Sequence, residues 1–119
     1  MTDQELAEYL AENGYPEHIR RAGRAGLLAR WTKFVDEVER GYKLGLEDYR
    51  NDLDLRGIIE LAGLGSEAQA DDERLRGLLT ATGNRIWESS HANAFWDWGY
   101  PANASGELLE DLKAEGLLR

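Results

Sequence analysis

The stretch Glu47 to Glu60, EDYRNDLDLRGIIE, sets three aspartates (Asp48, Asp52, Asp54) and two arginines (Arg50, Arg56) within nine residues of one another. Residues of these types at this density suit four kinds of chemistry: a cation site, a pair of catalytic carboxylates, an ion-paired helix face, or a surface that meets a basic partner. On a helix, Asp48, Asp52 and Arg56 follow one another at four-residue spacing and form one ladder. An acid placed N-terminal to a base at that spacing is the favourable orientation. Tyr49, Leu53 and Arg56 share a face with the apolar stripe, so Arg56 is expected at the edge of the core, paired with Asp52. A metal site needs several oxygens converging on one point, and here the arginines compete for them. The EF-hand pattern, with its glycine at position six and glutamate at position twelve, is not in register. The spacing therefore favours a structural ion pair, Asp52 with Arg56, over a metal or a catalytic dyad.

Two further clusters carry possible chemistry. From His18 to Lys33 the chain has Arg20, Arg21, Arg24, Arg30 and Lys33 with no acid between them. Such a patch suits a phosphate or nucleic-acid contact, or pairing with the acidic first or last helix, and no groove-reading motif accompanies it. In HANAFWDWGYP, the residues Phe95, Trp96, Trp98 and Tyr100 fall within six positions around Asp97. Aromatics at that density either plug the core or stand displayed as anchors for a partner. Core closure by Leu, Ile, Val, Trp31 and Trp87 leaves these four rings in surplus, which favours display. His91 with Glu88 before it has the makings of a general base, but no G-x-S-x-G nucleophile accompanies it. With two histidines and no cysteine, no transition-metal site or disulfide is expected. No phosphate-cradling glycine loop is present. No catalytic residue and no cofactor are expected.

These clusters must be positioned by helices, and the chain punctuates its helices clearly. Thr2 with Glu5 has the capping-box pattern; Leu6, Tyr9 and Leu10 follow at helical spacing, and Gly14 stops the run. Pro16 opens the next segment. That segment, EHIRRAGRAGLLARWTKFVDEVERGY, carries Leu27, Leu28, Trp31, Phe34, Val35, Val38 and Tyr42 as a broad buried stripe, with a break or bend expected near Gly23 and Gly26. Gly41 and Gly45 bracket a turn. A third helix from about Leu46 to Ala62 turns Tyr49, Leu53, Ile58, Ile59 and Ala62 inward. Asp71 or Asp72 is expected to cap a fourth helix bearing Leu75, Leu78, Leu79, Thr82 and Ile86. Residues Ser89 to Ser105 read as irregular. Ser105 then caps a last helix with Leu108, Leu109 and Leu112, ended by Gly116. Gly57, Gly77 and Gly83 inside helices cost about 1 kcal/mol each relative to alanine, which close helix approach would offset. No alternating strand pattern occurs. The fold class is all-α: a single domain, residues 1–119, built as a bundle of four to five helices with an irregular aromatic-rich segment before the last one.

The segments RWTKFVDEVERGY and DYRNDLDLR together resemble small, uncharacterised bacterial proteins that share a W-x-x-F-V-x-x-V-E-x-G-Y helix and a Y-x-N-D-L-x-x-R helix. The likeness covers roughly Arg30 to Ile59 and a Trp-containing segment near the C-terminus. It implies the helical fold and carries no activity with it.

At 119 residues a chain of this mass buries roughly two-thirds of its unfolded surface, enough for an ordinary core. The net charge of −9 repels phosphate backbones and disfavours nucleic acid, while it attracts and steers a basic protein. The acidic, polar N-terminus lacks the features of a signal peptide, and no apolar run approaches membrane-spanning length. The expectation is a cytoplasmic protein with no membrane contact. It would be a non-catalytic acidic domain that binds a basic protein partner through Phe95, Trp96, Asp97, Trp98 and Tyr100, as an immunity protein or antitoxin does. The alternative is a regulatory or accessory helical domain that holds a phosphorylated or nucleic-acid ligand through the Arg20–Arg30 patch.

Overall fold

The structure, a computed structural model, describes residues 2–79 and 99–116. Five helices follow in chain order among them: α1 (Asp3–Glu12), α2 (Glu17–Arg40), α3 (Leu46–Leu61), α4 (Gln69–Arg76) and α5 (Gly106–Ala114). Helices α1, α3 and α4 pack on α2, and α5 packs on α3. No strand occurs among the described residues, and an isolated antiparallel bridge joins Leu79 to Pro101. The architecture is the all-α bundle that the helical periodicity implies.

Local chemistry explains most helix ends. The Thr2 hydroxyl accepts from Glu5 N–H and the Glu5 carboxylate accepts from Thr2 N–H, which closes the capping box of α1. At the other end Gly14, with φ 76, lets Tyr15 N–H reach back to Leu10 C=O and Gly14 N–H to Ala11 C=O, the two bonds of a Schellman ending. Pro16 precedes α2 as its cap rather than occupying the first turn. The break in α2 falls at Gly23, where φ 58 and ψ −138 leave the helical region; a side chain there would be strained.

Two expectations about the later helices change. Asp71 and Asp72 do not cap α4. The helix starts at Gln69, after Ala68, and both aspartates lie in its first turn, because Asp72 is drawn inward by groups on α2 and α3 described below. Helix α4 also ends at Arg76, so Leu78 and Leu79 sit in the following turn and are only partly buried; Thr82, Gly83 and Ile86 lie outside the described residues. Ser105 occupies the cap position of α5, but its hydroxyl makes no capping bond. Capping from a distance occurs instead at α3. The Asp111 carboxylate of α5 accepts from Leu46 N–H at 3.0 Å, placing a negative charge on the positive end of α3. Gly45 permits the approach, since a Cβ there would lie 2.8 Å from the Asp111 carboxylate.

The core gathers Leu6 and Leu10 of α1, the α2 stripe, Tyr49, Leu53, Leu55, Ile58 and Ile59 of α3, Leu75 of α4, and Leu108 and Leu112 of α5. At its centre Trp31, Phe34, Tyr42 and Tyr49 form an aromatic cluster. Trp31 and Phe34 stand 5.2 Å apart, Phe34 and Tyr49 5.8 Å, and Phe34 and Tyr42 meet edge-on at 5.7 Å. Such pairs add roughly 0.5–1.5 kcal/mol beyond the area they bury. Trp31, Val35, Val38 and Leu53 are fully buried, the inward face read from the spacing.

Trp31→Ala is expected to cost about 3–5 kcal/mol of unfolding free energy, a large share of a typical 5–15. Urea denaturation measures it; a variant with the wild-type midpoint would place the indole outside the core.

Candidate binding site

The Tyr49 hydroxyl, carried into the core by its ring, must find an acceptor. It donates to Gly99 C=O at 2.8 Å. The Asn103 side-chain amide donates to Val38 C=O at 3.1 Å, and Ala102 N–H to Leu78 C=O at 2.9 Å. These bonds pin residues 99–103 onto α2, α3 and the end of α4. Tyr100 is consequently 6% exposed. This corrects the expectation that Tyr100 is displayed to a partner: its backbone neighbour satisfies a buried hydroxyl, and the ring goes in with it. Phe95, Trp96, Asp97 and Trp98, like Trp87, Glu88 and His91, lie outside the described residues.

The second correction concerns Asp52 and Arg56. The two side chains leave the shared ladder for different partners. Arg56 is 4% exposed and Asp72 9%, and they meet in a forked pair: Nε donates to Oδ1 and Oδ2 at 2.9 and 3.0 Å, and Nη2 to Oδ2 at 2.8 Å. Arg56 Nη1 bonds Glu60 at 2.9 Å. Trp31 Nε1 donates to Asp72 Oδ1 at 3.0 Å, so one carboxylate on α4 ties α2 and α3 together. Burial pushes the guanidinium's pKa down, but the bonds to Asp72 and Glu60 together outweigh it, and the net shift is upward. The reason for the swap is depth. A buried guanidinium needs a buried carboxylate with good geometry; Asp72 is almost fully buried, whereas Asp52 is only half-buried and is engaged by the Tyr42 hydroxyl. The spacing along α3 contains no sign of Asp72. The clue that did exist was Trp31, whose buried indole N–H requires an acceptor.

Asp52 instead accepts a hydrogen bond at Oδ2 from the Tyr42 hydroxyl, and it borders two concavities. The larger, about 350 Å³, lies between the C-terminal end of α1, the 13–16 connection, α2 and α3; Tyr9, Tyr15, Arg30, Asn51, Asp52 and Asp54 line it. The smaller, about 150 Å³, shares Arg30 and Asp52 with it and extends to Glu37 and Leu44. Burial raises the Asp52 pKa above the usual carboxylate range, assisted by Glu37 and Asp48 and opposed by the Tyr42 bond and the Arg30 charge. Burial, with Asp54 next, pushes the Tyr15 phenol up to about 12. A third cavity, about 560 Å³, opens beside the Arg56–Asp72 pair, with Glu60, Ser66, Glu73 and Arg76 around it; its charged centre is already neutralised within the fold.

The basic patch is divided. Arg21 pairs with Glu17 within α2, and Arg24 pairs with Asp3 of α1, the one of the two that matches the pairing expected with the acidic first helix. Among the described residues no three His, Asp or Glu side chains are grouped to hold a metal ion, and no helix is long and apolar enough to cross a membrane. The chain matches no family model, curated protein or solved structure.

Two outcomes test this geometry. A double-mutant cycle on Arg56 and Asp72 should give a coupling of about 1–3 kcal/mol in stability, while the cycle on Asp52 and Arg56 should give close to none. The Asp52 carboxylate supplies the second. Its raised folded-state pKa contributes stability that is complete below the unfolded value of about 3.9 and is lost as pH rises through the folded value. Asp52→Asn, which keeps an acceptor for Tyr42, should therefore gain stability relative to wild type at pH 7, and the gain should vanish at pH 3. Denaturation at the two pH values decides it; a pH-independent difference would remove desolvation as the cause.

Proposed function

We propose that this protein is a non-catalytic, acidic binding domain that docks on a basic protein, in the manner of an immunity protein or antitoxin-like inhibitor, and that it acts in the cytoplasm. The observation that carries this reading is how the charge is spent. Among the described residues, five arginines pair with acids of the same chain: Arg21 with Glu17, Arg24 with Asp3, Arg50 with Glu115, Arg56 with Asp72, and Arg74 with Asp36. A net charge of −9 is left over, and Glu8, Glu12, Asp48, Glu107 and Glu110 among others carry it at the surface. A field of that sign raises the encounter rate with a basic partner and falls with salt. The same pairing weakens the alternative, a phosphate or nucleic-acid ligand on the Arg20–Arg30 patch, because Glu17 and Asp3 sit on two of its cations and Asp52 lies beside Arg30. Surface pairs are worth little in stability, but they cancel the local potential that would gather phosphates.

The tagged protein, used to capture partners from its own cells and identified by mass spectrometry, should retain a basic protein that is released between about 0.1 and 0.5 M salt. A labelled single-stranded oligonucleotide should not be retained at about 0.15 M salt. Retention that Arg20→Ala and Arg30→Ala abolish would replace this reading with the alternative.

A further inference from the structure

Helix α2 and the turn after it carry a local exception to the acidic surface, a face whose cations go unpaired in a chain that has acids in excess. Arg30, Lys33, Glu37 and Arg40 recur at three- and four-residue spacing and so share one side of the helix. Lys43 and Leu44 follow in the turn. Arg30, Lys33, Arg40 and Lys43 are exposed, and among the described residues none of them makes an ion pair or a side-chain hydrogen bond. The acid best placed for Arg40 is Asp36, four residues before it; Asp36 and Glu39 both turn to Arg74 of α4 instead. The negative end of α2 accounts for a cation at Arg40, but not for Lys33 two turns earlier. Leu44 is 48% exposed. A lone exposed leucine signifies nothing, and Leu61 is another; Leu44 differs in its setting. Leu44 and Glu37 border two concavities. One, of about 150 Å³, has Phe34, Arg30, Lys33 and Asp52 around it; the other, of about 420 Å³, lies against Arg40, Gly41 and Lys43. The aliphatic stems of the basic side chains give such walls an apolar character beneath the charged heads.

We propose that this face binds a short acidic segment of a protein partner, its carboxylates meeting Lys33, Arg40 and Lys43 and one apolar side chain seated beside Leu44. The order of charges along the face sets the order along the segment. Cations stand toward both ends, while Glu37 and Leu44 occupy the part common to the two concavities. Glu37 repels a carboxylate there and leaves that place to an apolar group, so the pattern that fits is acid, apolar, acid. From Arg30 to Arg40 the helix rises about 15 Å, the length of roughly four or five extended residues. Extent also selects a peptide over other anions. A nucleic acid or an anionic bilayer is charged along its whole length or area, so it meets the surrounding acidic surface and is repelled by the net −9. A segment of a few residues stays within the stripe, and its apolar residue fills space that a phosphate leaves empty. The inference stands apart from the acidic-docking reading, since it concerns a different face and a segment of opposite charge.

The experiment is an amide-resolved NMR titration of the full chain with the acetylated, amidated peptide EDLEE, alongside EDAEE and the basic KKLKK. EDLEE should shift signals of residues 30–44. EDAEE should bind several-fold more weakly, and KKLKK should leave these signals in place. Lys33→Glu and Lys43→Glu, both at exposed positions, should each weaken EDLEE by roughly threefold to tenfold, the scale of reversing one exposed charge contact. Leu44→Ser should weaken it as well. Lys113→Glu on α5 makes the same change in net charge at an exposed position outside the stripe and should leave the affinity as it is. If EDLEE shifts none of these signals, the face is no docking surface and the proposal is wrong. If Lys113→Glu weakens binding as much as Lys43→Glu, net charge alone is at work and the proposal falls. If EDAEE binds as tightly as EDLEE and a single-stranded oligonucleotide shifts the same signals, the face takes phosphates, and the proposal is overturned.

Discussion

The forked pair between Arg56 and Asp72 is the constraint on which the rest of the bundle is arranged. Two opposite charges this deep cannot be separated without leaving one of them unpaired in the core, which costs several kcal/mol. Asp72 must therefore face α3, and Trp31 on α2 adds its indole N–H to the same carboxylate. Helix α4 is thereby held in one rotation and one height against α2 and α3. Well-packed apolar residues in place of such a pair are often as stable; what the charges add is that displaced alternatives become expensive. The third cavity opens at the outer side of this pair and is explained by it, with Glu60 carrying the guanidinium's remaining bond out to solvent.

The same logic recurs around the molecule on a smaller scale. Tyr49 buries a hydroxyl and obtains Gly99 C=O; the start of α3 leaves Leu46 N–H without a helical partner and obtains Asp111 from α5; Val38 C=O near the end of α2 obtains the Asn103 amide. In each case a polar group beside a buried ring or at a helix terminus bonds a residue at least fifty positions away, although Val38 C=O also accepts Gly41 N–H. These bonds are worth about 1 kcal/mol each when made and more when lost, because the orphaned group stays buried. They are what brings the C-terminal part of the chain, residues 99–116, onto the first three helices.

Functionally, the consequence is an internal cancellation of positive charge. Arginines that would otherwise present a basic face are turned to structural use, and the surface that remains is acidic. Asp52 is half-buried; it accepts the Tyr42 hydroxyl and lines a cleft with Tyr9 and Tyr15.

Whatever is decided within one or two turns of chain was legible from residue order alone. The capping box at Thr2 and Glu5, the stop at Gly14, the bend at Gly23, the turn from Gly41 to Gly45 and the inward stripe of α2 and α3 all follow from local backbone chemistry and 3.6-residue periodicity, as does the all-α class. Choices among chemically equal partners were not legible. Arg56 had Asp52 and Glu60 within a turn on its own helix and took Glu60 together with Asp72. Tyr100 stood among three other large aromatics as a candidate for display, yet it is buried by the bond its neighbour Gly99 makes. Asp71 and Asp72 had the same local capping propensity, and one was taken inward. Local sequence sets which groups can bond; which bond forms depends on depth, since only in the desolvated interior is a well-formed pair decisively better than its exposed equivalent. Depth is a property of how the helices pack, and tertiary structure alone decides it.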